Sequence, residues 1–133
     1  MSTSDVINKN PILLSVVELG GYPNFVPLYQ RTGFDVVSVT TSRKAISAIK
    51  KNVPAVIVAE FNYQSDFRDR TSSLESLLAS VERYPATKAI VFYEKESAHQ
   101  LEKLLGQFSI FKVMPYPIEE SELESILQSI VDE

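Results

Sequence analysis

The stretch VPAVIVAE, residues 53–60, indicates the fold, because it is apolar on both faces and ends in a carboxylate. Strands that are apolar on both faces are typical of the buried centre of a parallel sheet. Pro54 fits the first turn of such a strand, where its missing N–H costs least. Ligands of open parallel sheets bind outside the carboxyl ends of the strands, so Glu60 is predicted to lie at the functional edge.

Apolar runs and helical stripes alternate along the rest of the chain. The predicted strands cover residues 11–18, 34–39, 53–60, 88–93 and 109–114. A helical stripe follows each strand. Pro23 is expected in the opening turn of the first helix. Ser72 is expected to open the third helix, because Glu75 follows it at capping-box spacing. Five successive βα units predict an α/β fold, a flavodoxin-like (βα)5 three-layer sandwich. Its parallel five-stranded sheet is expected in the order 2-1-3-4-5.

Length and composition indicate one globular domain. The chain has 133 residues and is 44% hydrophobic. A chain of this length buries roughly 70% of its unfolded surface on folding, so it needs no disulfide or metal to fold. Residues 1–10 are predicted to form a polar N-terminal extension, and residues 11–133 the domain.

The residue inventory argues against several classes of function. There is no cysteine and His99 is the one histidine, which makes a disulfide, a cysteine-ligated metal or a histidine-based catalytic site improbable. A net charge of −4 gives no general attraction to nucleic acid. No apolar run approaches the ~20 residues of a membrane span, and no signal pattern opens the chain. We therefore expect a cytoplasmic protein without a cofactor, a nucleic-acid partner or a membrane partner.

Residues 53–60, followed much later by VMPY at residues 113–116, resemble the receiver (CheY-like) domain of response regulators. The resemblance covers roughly residues 11–131. In that family the third strand ends in the phosphoaccepting aspartate, a position that Glu60 occupies here. The fifth strand ends in a lysine–proline pair, which corresponds to Met114 and Pro115, and the resemblance implies a cis bond before Pro115.

Most other receiver-site positions depart from the family pattern. In the family two acids normally close the first strand, where this chain has Val17 and then Glu18. The hydroxyl residue that ends the family's fourth strand corresponds to Tyr93. The aromatic residue that changes position when a receiver is activated corresponds to Phe111. Mg²⁺ binding requires carboxylates and water, and Met114 cannot donate to a phosphoryl oxygen. Glu60 is also one methylene too long for an in-line acceptor. The resemblance thus implies a degenerate pseudo-receiver, without a metal, without catalytic residues and not an enzyme.

The sequence leaves several roles open. Glu60 is either a partly exposed strand-end acid, a permanent mimic of the phosphorylated aspartate, or an acid with a raised pKa in an apolar pocket. Tyr93 and Phe111 are either neighbouring core aromatics or a switch locked in one conformation. The aromatic and charged segment at residues 61–70 is either a lid, a partner contact or a solvated loop.

The predicted function is that of a phosphorylation-independent protein-interaction module in bacterial signal transduction. Family resemblance implies docking or homodimerisation through the fourth helix, fifth strand and fifth helix, around His99, Lys103, Phe111, Lys112 and Tyr116. With the chain ending at Glu133, output is expected to pass through a partner. The alternative is a flavodoxin-like small-ligand binder that uses a crevice among Glu18, Gly20, Glu60 and Tyr93.

Overall fold

One parallel sheet organises the computed structural model, which describes residues 10–17, 23–61 and 70–132. Its strands are β1 (Ile12–Val16), β2 (Asp35–Val39), β3 (Val56–Phe61), β4 (Lys88–Tyr93) and β5 (Lys112–Pro115). They pair in parallel in the order β2-β1-β3-β4-β5, which confirms the predicted topology. The order reverses between β1 and β3, and a crevice opens at such a point.

Helices cover both faces of the sheet. They are α1 (Val26–Arg31), α2 (Ser42–Lys51), α3 (Arg70–Val81), α4 (Ala98–Leu105) and α5 (Glu120–Val131), with a short 3₁₀ turn at Lys95–Ser97. Successive residues of β3 enter different cores: Ile57 packs with α2, α3 and α4, whereas Val58 packs with α1 and α5. This alternation explains why the central strand is apolar throughout. Among the described residues, no helix has the length and apolar character to cross a membrane.

Some predicted boundaries were wrong by a few residues. Strand β3 starts at Val56 and not at residue 53, because Pro54 lacks an N–H and the first ladder bond comes from Ala55 to the carbonyl of Ile12. Helix α3 already includes Arg70, so Ser72 is not its N-cap. A cap contributes only about 1 kcal/mol, and packing of the apolar stripe can override it.

Helix α1 is short and begins later than predicted. Pro27, and not Pro23, occupies its first turn, where a missing N–H is tolerated. The side chain of Asn24 accepts a hydrogen bond from the Val26 N–H at 3.0 Å. Gly33, with φ +110°, ends the segment and turns the chain into β2. Because Tyr29 of the helix lines one cavity with Val16, the helix lies over the sheet near the end of β1.

Candidate functional site

One row of side chains crosses the sheet near the carboxyl ends of its central strands. In the strand register, Glu60 is opposite Phe92, and Phe92 is opposite Met114. Extending the β1–β3 register by one residue past Val16–Ala59 places Val17 beside Glu60. Phe92 and Met114 belong to the core under α1 and α5. Glu60 is therefore the one acid in a row whose other members are apolar.

A cavity of about 210 Å³ lies at this end of the sheet, between α1 and strands β1, β2 and β3. Ser15 and Ser38 are paired across β1 and β2, and both line it. Glu60 and Phe92 line it from β3 and β4. Because these four residues come from four neighbouring strands, the cavity lies at the point where the strand order reverses.

Helix α1 and the residue before it form the aromatic wall of the cavity. The Phe25 ring meets the Phe92 ring edge-on, with 5.9 Å between centroids and 76° between planes. The Tyr29 ring lies 6.4 Å from that of Phe25. Such tilted and edge-on pairs favour a defined arrangement of the rings, so this wall is held in place by packing.

Glu60 is the sole charged residue among the described residues that line the cavity. It is 8% exposed, so its interpretation as a partly exposed strand-end acid is wrong. The reason is that α1 closes over this end of the sheet, where Phe25 and Tyr29 line the same cavity. Burial raises the pKa of Tyr29 above its ordinary value, and the negative charge of Glu60 raises that pKa further.

The described residues at the receiver-site positions do not fit a Mg²⁺ ion or a phosphoryl group. The side chain of Val17 has no ligand atom, and Met114 is 1% exposed inside an apolar cluster. Among residues 10–17, 23–61 and 70–132, no group of three or more acidic or histidine side chains could hold a metal ion. Mg²⁺ needs a nearly octahedral shell of oxygen ligands, and one buried carboxylate supplies too few of them.

Tyr93 lies on the other side of the sheet from Glu60. It packs against the core under α2, α3 and α4, and its partners in the register are Phe61 and Pro115. The predicted crevice containing both Glu60 and Tyr93 is therefore wrong: neighbouring residues of a strand point to opposite faces, and Phe92 takes the place beside Glu60.

Phe111 is not a core residue, so the interpretation of Tyr93 and Phe111 as neighbouring core aromatics is also wrong. Phe111 is 45% exposed, and its N–H bonds the carbonyl of Ala89. Ala89 lies four residues before Tyr93 on β4, which is about 13 Å at roughly 3.3 Å per residue. The Lys88 ammonium is 5.5 Å from the centroid of the Phe111 ring. The locked switch stays a prediction.

The cis bond expected before Pro115 is in a different place. The described cis peptide joins Tyr116 to Pro117. Both bonds precede proline, the residue type at which the trans preference is smallest. Pro115 instead closes β5 opposite Tyr93.

The predicted partner face is formed by α4, β5 and α5, at one edge of the sheet. All five of its predicted members are exposed: His99, Lys103, Phe111, Lys112 and Tyr116. The Tyr116 N–H donates to the carbonyl of Tyr93, which continues the β4–β5 ladder past Pro115. The face thus combines two exposed aromatic rings with two lysines.

Several predicted positions lie outside the described residues, namely Glu18, Gly20 and residues 62–69 of the aromatic segment. Sequence reasoning missed Ser15, Ser38, Phe25, Tyr29 and Phe92 as cavity residues. Two signals were available: Ser15 and Ser38 are polar residues inside predicted strands, and Phe25 and Tyr29 share one helical face.

Solved structures of receiver domains share this fold. A CheY-like receiver domain from Methylobacillus flagellatus has a TM-score of 0.68 at 21% identity, covering 92% of this chain and 99% of that one. A receiver domain protein from Clostridium thermocellum has a TM-score of 0.71 at 13% identity, covering 92% and 94%. A response regulator from Thermotoga maritima has a TM-score of 0.71 at 13% identity, covering 94% and 100%.

The comparisons with sequences found no counterpart: no protein-family model matches this chain, and neither does any curated protein. At these identities the structural likeness establishes the fold, which is the receiver fold. The chemistry of the site has to be argued from the residues of this chain.

Proposed function

We propose that this protein is a pseudo-receiver, a cytoplasmic interaction module of bacterial signal transduction that works without aspartyl phosphorylation and is not an enzyme. The observation that carries the proposal is the row formed by Val17, Glu60, Phe92 and Met114. The receiver fold is retained, but Val17 and Met114, at two of the positions that handle Mg²⁺ or a phosphoryl group in that family, have apolar side chains.

The chemistry of phosphoryl transfer supports this proposal. Transfer to an acceptor depends on positioning and on cations that neutralise the phosphoryl oxygens. Met114 supplies no charge, and its side chain is packed in the core with Phe92 and Leu123. Glu60 is 8% exposed and lines a mostly apolar cavity, so the charge of an added phosphoryl group would be poorly solvated there. Glu60 as a permanent anion remains compatible with such a module.

The face formed by α4, β5 and α5 is the proposed docking surface, for a partner protein or a second copy of this chain. Phe111 and Tyr116 expose aromatic area, and aromatic residues are enriched in the binding cores of interfaces. Lys103 and Lys112 are exposed beside them. Because Glu102, Glu120 and Glu122 are exposed on α4 and α5 as well, a partner with charges of both signs around an apolar centre would complement this surface.

Amide NMR tests the absence of phosphorylation. Mg²⁺ is added to the labelled protein, followed by beryllofluoride, which mimics a phosphoryl group. We expect the amides of Val17, Glu60, Phe92 and Phe111 to keep their shifts, and Glu60→Gln to behave like the wild type. Concentrated shifts at Glu60 and Phe111 that vanish in Glu60→Gln would contradict the proposal.

Substitutions at the two sheet edges test the docking surface. Phe111→Ser and Tyr116→Ser are each expected to weaken self-association by roughly tenfold or more, or to weaken binding of a partner protein by as much once that partner has been identified in the native host. Val37→Ser is the matched control, because Val37 is an exposed apolar residue on the opposite edge strand, at 40% exposure. Equal effects of all three variants would rule out a specific role for the α4–β5–α5 face.

A second function, binding of a small ligand, is favoured by the cavity beside Glu60. The cavity is concave, mostly apolar and provided with a few polar groups, which is the usual make-up of ligand sites. It differs from the predicted crevice in that Phe92, Ser15 and Ser38 replace Tyr93. Amide shifts on addition of small neutral compounds would test whether it accepts a ligand.

A further inference from the structure

We propose that α2 and the neighbouring edge strand β2 form a second docking surface, which binds a short acidic segment of a partner protein with an aliphatic side chain among its acids. This inference is independent of the α4–β5–α5 face, which lies at the other edge of the sheet. It concerns a different surface and states the chemistry of the segment that would occupy it.

The exposed side of α2 is uniformly basic. Four of the thirteen lysines and arginines of the chain lie in this ten-residue helix, which contains no acid. They come three or four residues before and after the exposed Ser47, so they surround it on the solvent side of the helix. These four residues, all of them exposed, are Arg43, Lys44, Lys50 and Lys51.

The stability of the helix does not explain two of these charges. Lys50 and Lys51 lie in its last turn, where the helix dipole favours cations. Arg43 and Lys44 lie in its first turn, where the dipole disfavours them. None of the four side chains forms an ion pair or a hydrogen bond with a described residue. Their charges are therefore available to a partner.

The elements that pack against α2 do not neutralise it. Strands β1 and β2 and helix α3 contribute two acids, Asp35 and Glu75. Asp35 accepts a hydrogen bond from the side-chain amide of Asn10 at 3.2 Å, and Glu75 is half-buried. Neither acid forms an ion pair with a cation of α2. The described surface around α2 thus keeps an excess of positive charge, which an acidic partner would complement.

A second cavity, here called the edge cavity, adjoins the basic side of the helix. It has a volume of about 180 Å³ and lies between α2 and strands β1 and β2. Leu14, Val37 and Ala48 are among its apolar lining residues, and Val37 is 40% exposed. Lys51 is the one charged residue of its described lining. The edge cavity is smaller than the roughly 300–1,000 Å³ of drug-sized sites, so it suits a single aliphatic side chain.

The overall charge of the chain favours a short acidic segment over an extended polyanion. The net charge is −4, and it is more negative still outside α2. A nucleic acid or an anionic membrane would extend beyond α2 and be repelled by that charge. The cations of α2 span about 12 Å from Arg43 to Lys51, at 1.5 Å per residue. About four residues of an extended chain cover this distance.

Four capped heptapeptides test this inference. EDELEDE is acidic, SGSLSGS is neutral and KRKLKRK is basic, and EDEGEDE is acidic without the central leucine. Each is added to the full chain at low salt while the amide NMR shifts of Val37, Ser47 and Lys51 are followed. We expect EDELEDE to bind most tightly, EDEGEDE to bind roughly tenfold more weakly, and added salt to weaken both.

Charge variants assign the binding to α2. Lys44→Gln combined with Lys51→Gln is expected to weaken EDELEDE binding by roughly three- to tenfold. Lys95→Gln combined with Lys103→Gln makes the same change in net charge at exposed positions in and before α4, and should bind like the wild type.

Two apolar variants assign the leucine to the edge cavity. Val37→Ser should weaken the binding of EDELEDE and leave that of EDEGEDE unchanged, because only the first peptide has a side chain to bury there. Phe111→Ser is the matched control, an exposed apolar residue on the α4–β5–α5 face, and should weaken neither peptide.

Several results would overturn the inference. They are SGSLSGS binding as tightly as EDELEDE, equal losses in the two double variants, and no shift of the three amides with EDELEDE. Phosphatidylglycerol vesicles and oligodeoxythymidine are the rival anions, and tighter binding of either one to α2 would assign the surface to a membrane or a nucleic acid instead. If a variant does not fold, the order of the four peptides and the effect of salt on the wild type still decide. None of these results affects the proposal for the α4–β5–α5 face.

Discussion

The negative charge of Glu60 acts on the phenol of Tyr29, and the two side chains line the same cavity. Glu60 comes from the central strand and Tyr29 from α1, 31 positions earlier in the chain. Burial is the larger cause of the raised Tyr29 pKa, and the carboxylate adds to it. The carboxylate on the sheet therefore disfavours ionisation of the phenol on the helix.

Alkaline pH should destabilise the protein through Tyr29. Its folded-state pKa is raised above the unfolded value of 10.0, so its contribution to stability is complete below pH 10 and is lost as the pH rises above it. In that window the free energy of unfolding should fall by about 1.4 kcal/mol per pH unit from this group. Urea unfolding at several pH values should show a shallower decline for Tyr29→Phe. Tyr116→Phe, at an exposed site, should keep the wild-type decline.

Introducing a lysine at the end of β5 should destabilise the domain. Met114 is 1% exposed and lies beside Phe92, so a charged side chain there would lose its hydration. We expect Met114→Lys to lower the free energy of unfolding by about 2–4 kcal/mol. Met114→Leu should cost less than about 1.5 kcal/mol, because it conserves volume and polarity. Equal stability of the two variants would mean that the lysine reaches Glu60 past the Phe92 ring.

Alanine substitutions at two glycines should change the stability of the protein in opposite directions. Gly33 has φ +110°, which is unfavourable for a residue with a side chain even though no atom lies within 4 Å of the added Cβ. Gly33→Ala should destabilise by about 1–3 kcal/mol. Gly106 has helical angles, φ −78° and ψ −13°, and an added Cβ would lie 3.7 Å from its nearest neighbour, the Lys103 carbonyl oxygen. Gly106→Ala should therefore stabilise the protein by about 0.4–1 kcal/mol. Thermal unfolding of both variants checks the sign, and the same sign for both would contradict the conformational argument.

A buried hydroxyl joins the starts of β3 and β4. Thr87 Oγ1 donates to the Pro54 carbonyl at 2.7 Å, and Thr87 is buried. Thr87→Val should leave that carbonyl without its donor and cost about 1–3 kcal/mol, whereas Thr87→Ser keeps the hydroxyl and should cost less. Urea unfolding compares the two. If valine proves as stable as serine, the hydrogen bond contributes little.

The extent of β4 could be predicted because it depends on a local pattern, and the strand order because successive βα units allow few arrangements of a parallel sheet. Lys88–Tyr93 is an apolar run bounded by polar residues, and the structure has the same limits. The alternation of such runs with helical stripes leads to the parallel sheet. Resemblance to receivers identified Glu60 as the position to examine.

The cavity could not be predicted, because it depends on register and helix docking. In the β3–β4 register Glu60 is opposite Phe92, and Tyr93 is opposite Phe61. A register shifted by one residue would have placed Tyr93 beside Glu60. Ser15 and Ser38 share a row only in the assembled sheet. Phe25 and Tyr29 reach the cavity through the position of α1, which Pro27 and Gly33 define at either end.

The apolar row around Glu60 also limits how the protein could change. A lysine at position 114 alone would place a charged group in the core that Met114 shares with Phe92, Leu123 and Leu127. A single charged substitution there is therefore expected to lower the stability of the protein before a second substitution can compensate for it. Marginal stability leaves little room for such intermediates. Polar groups can therefore enter this row only as a set whose members satisfy one another.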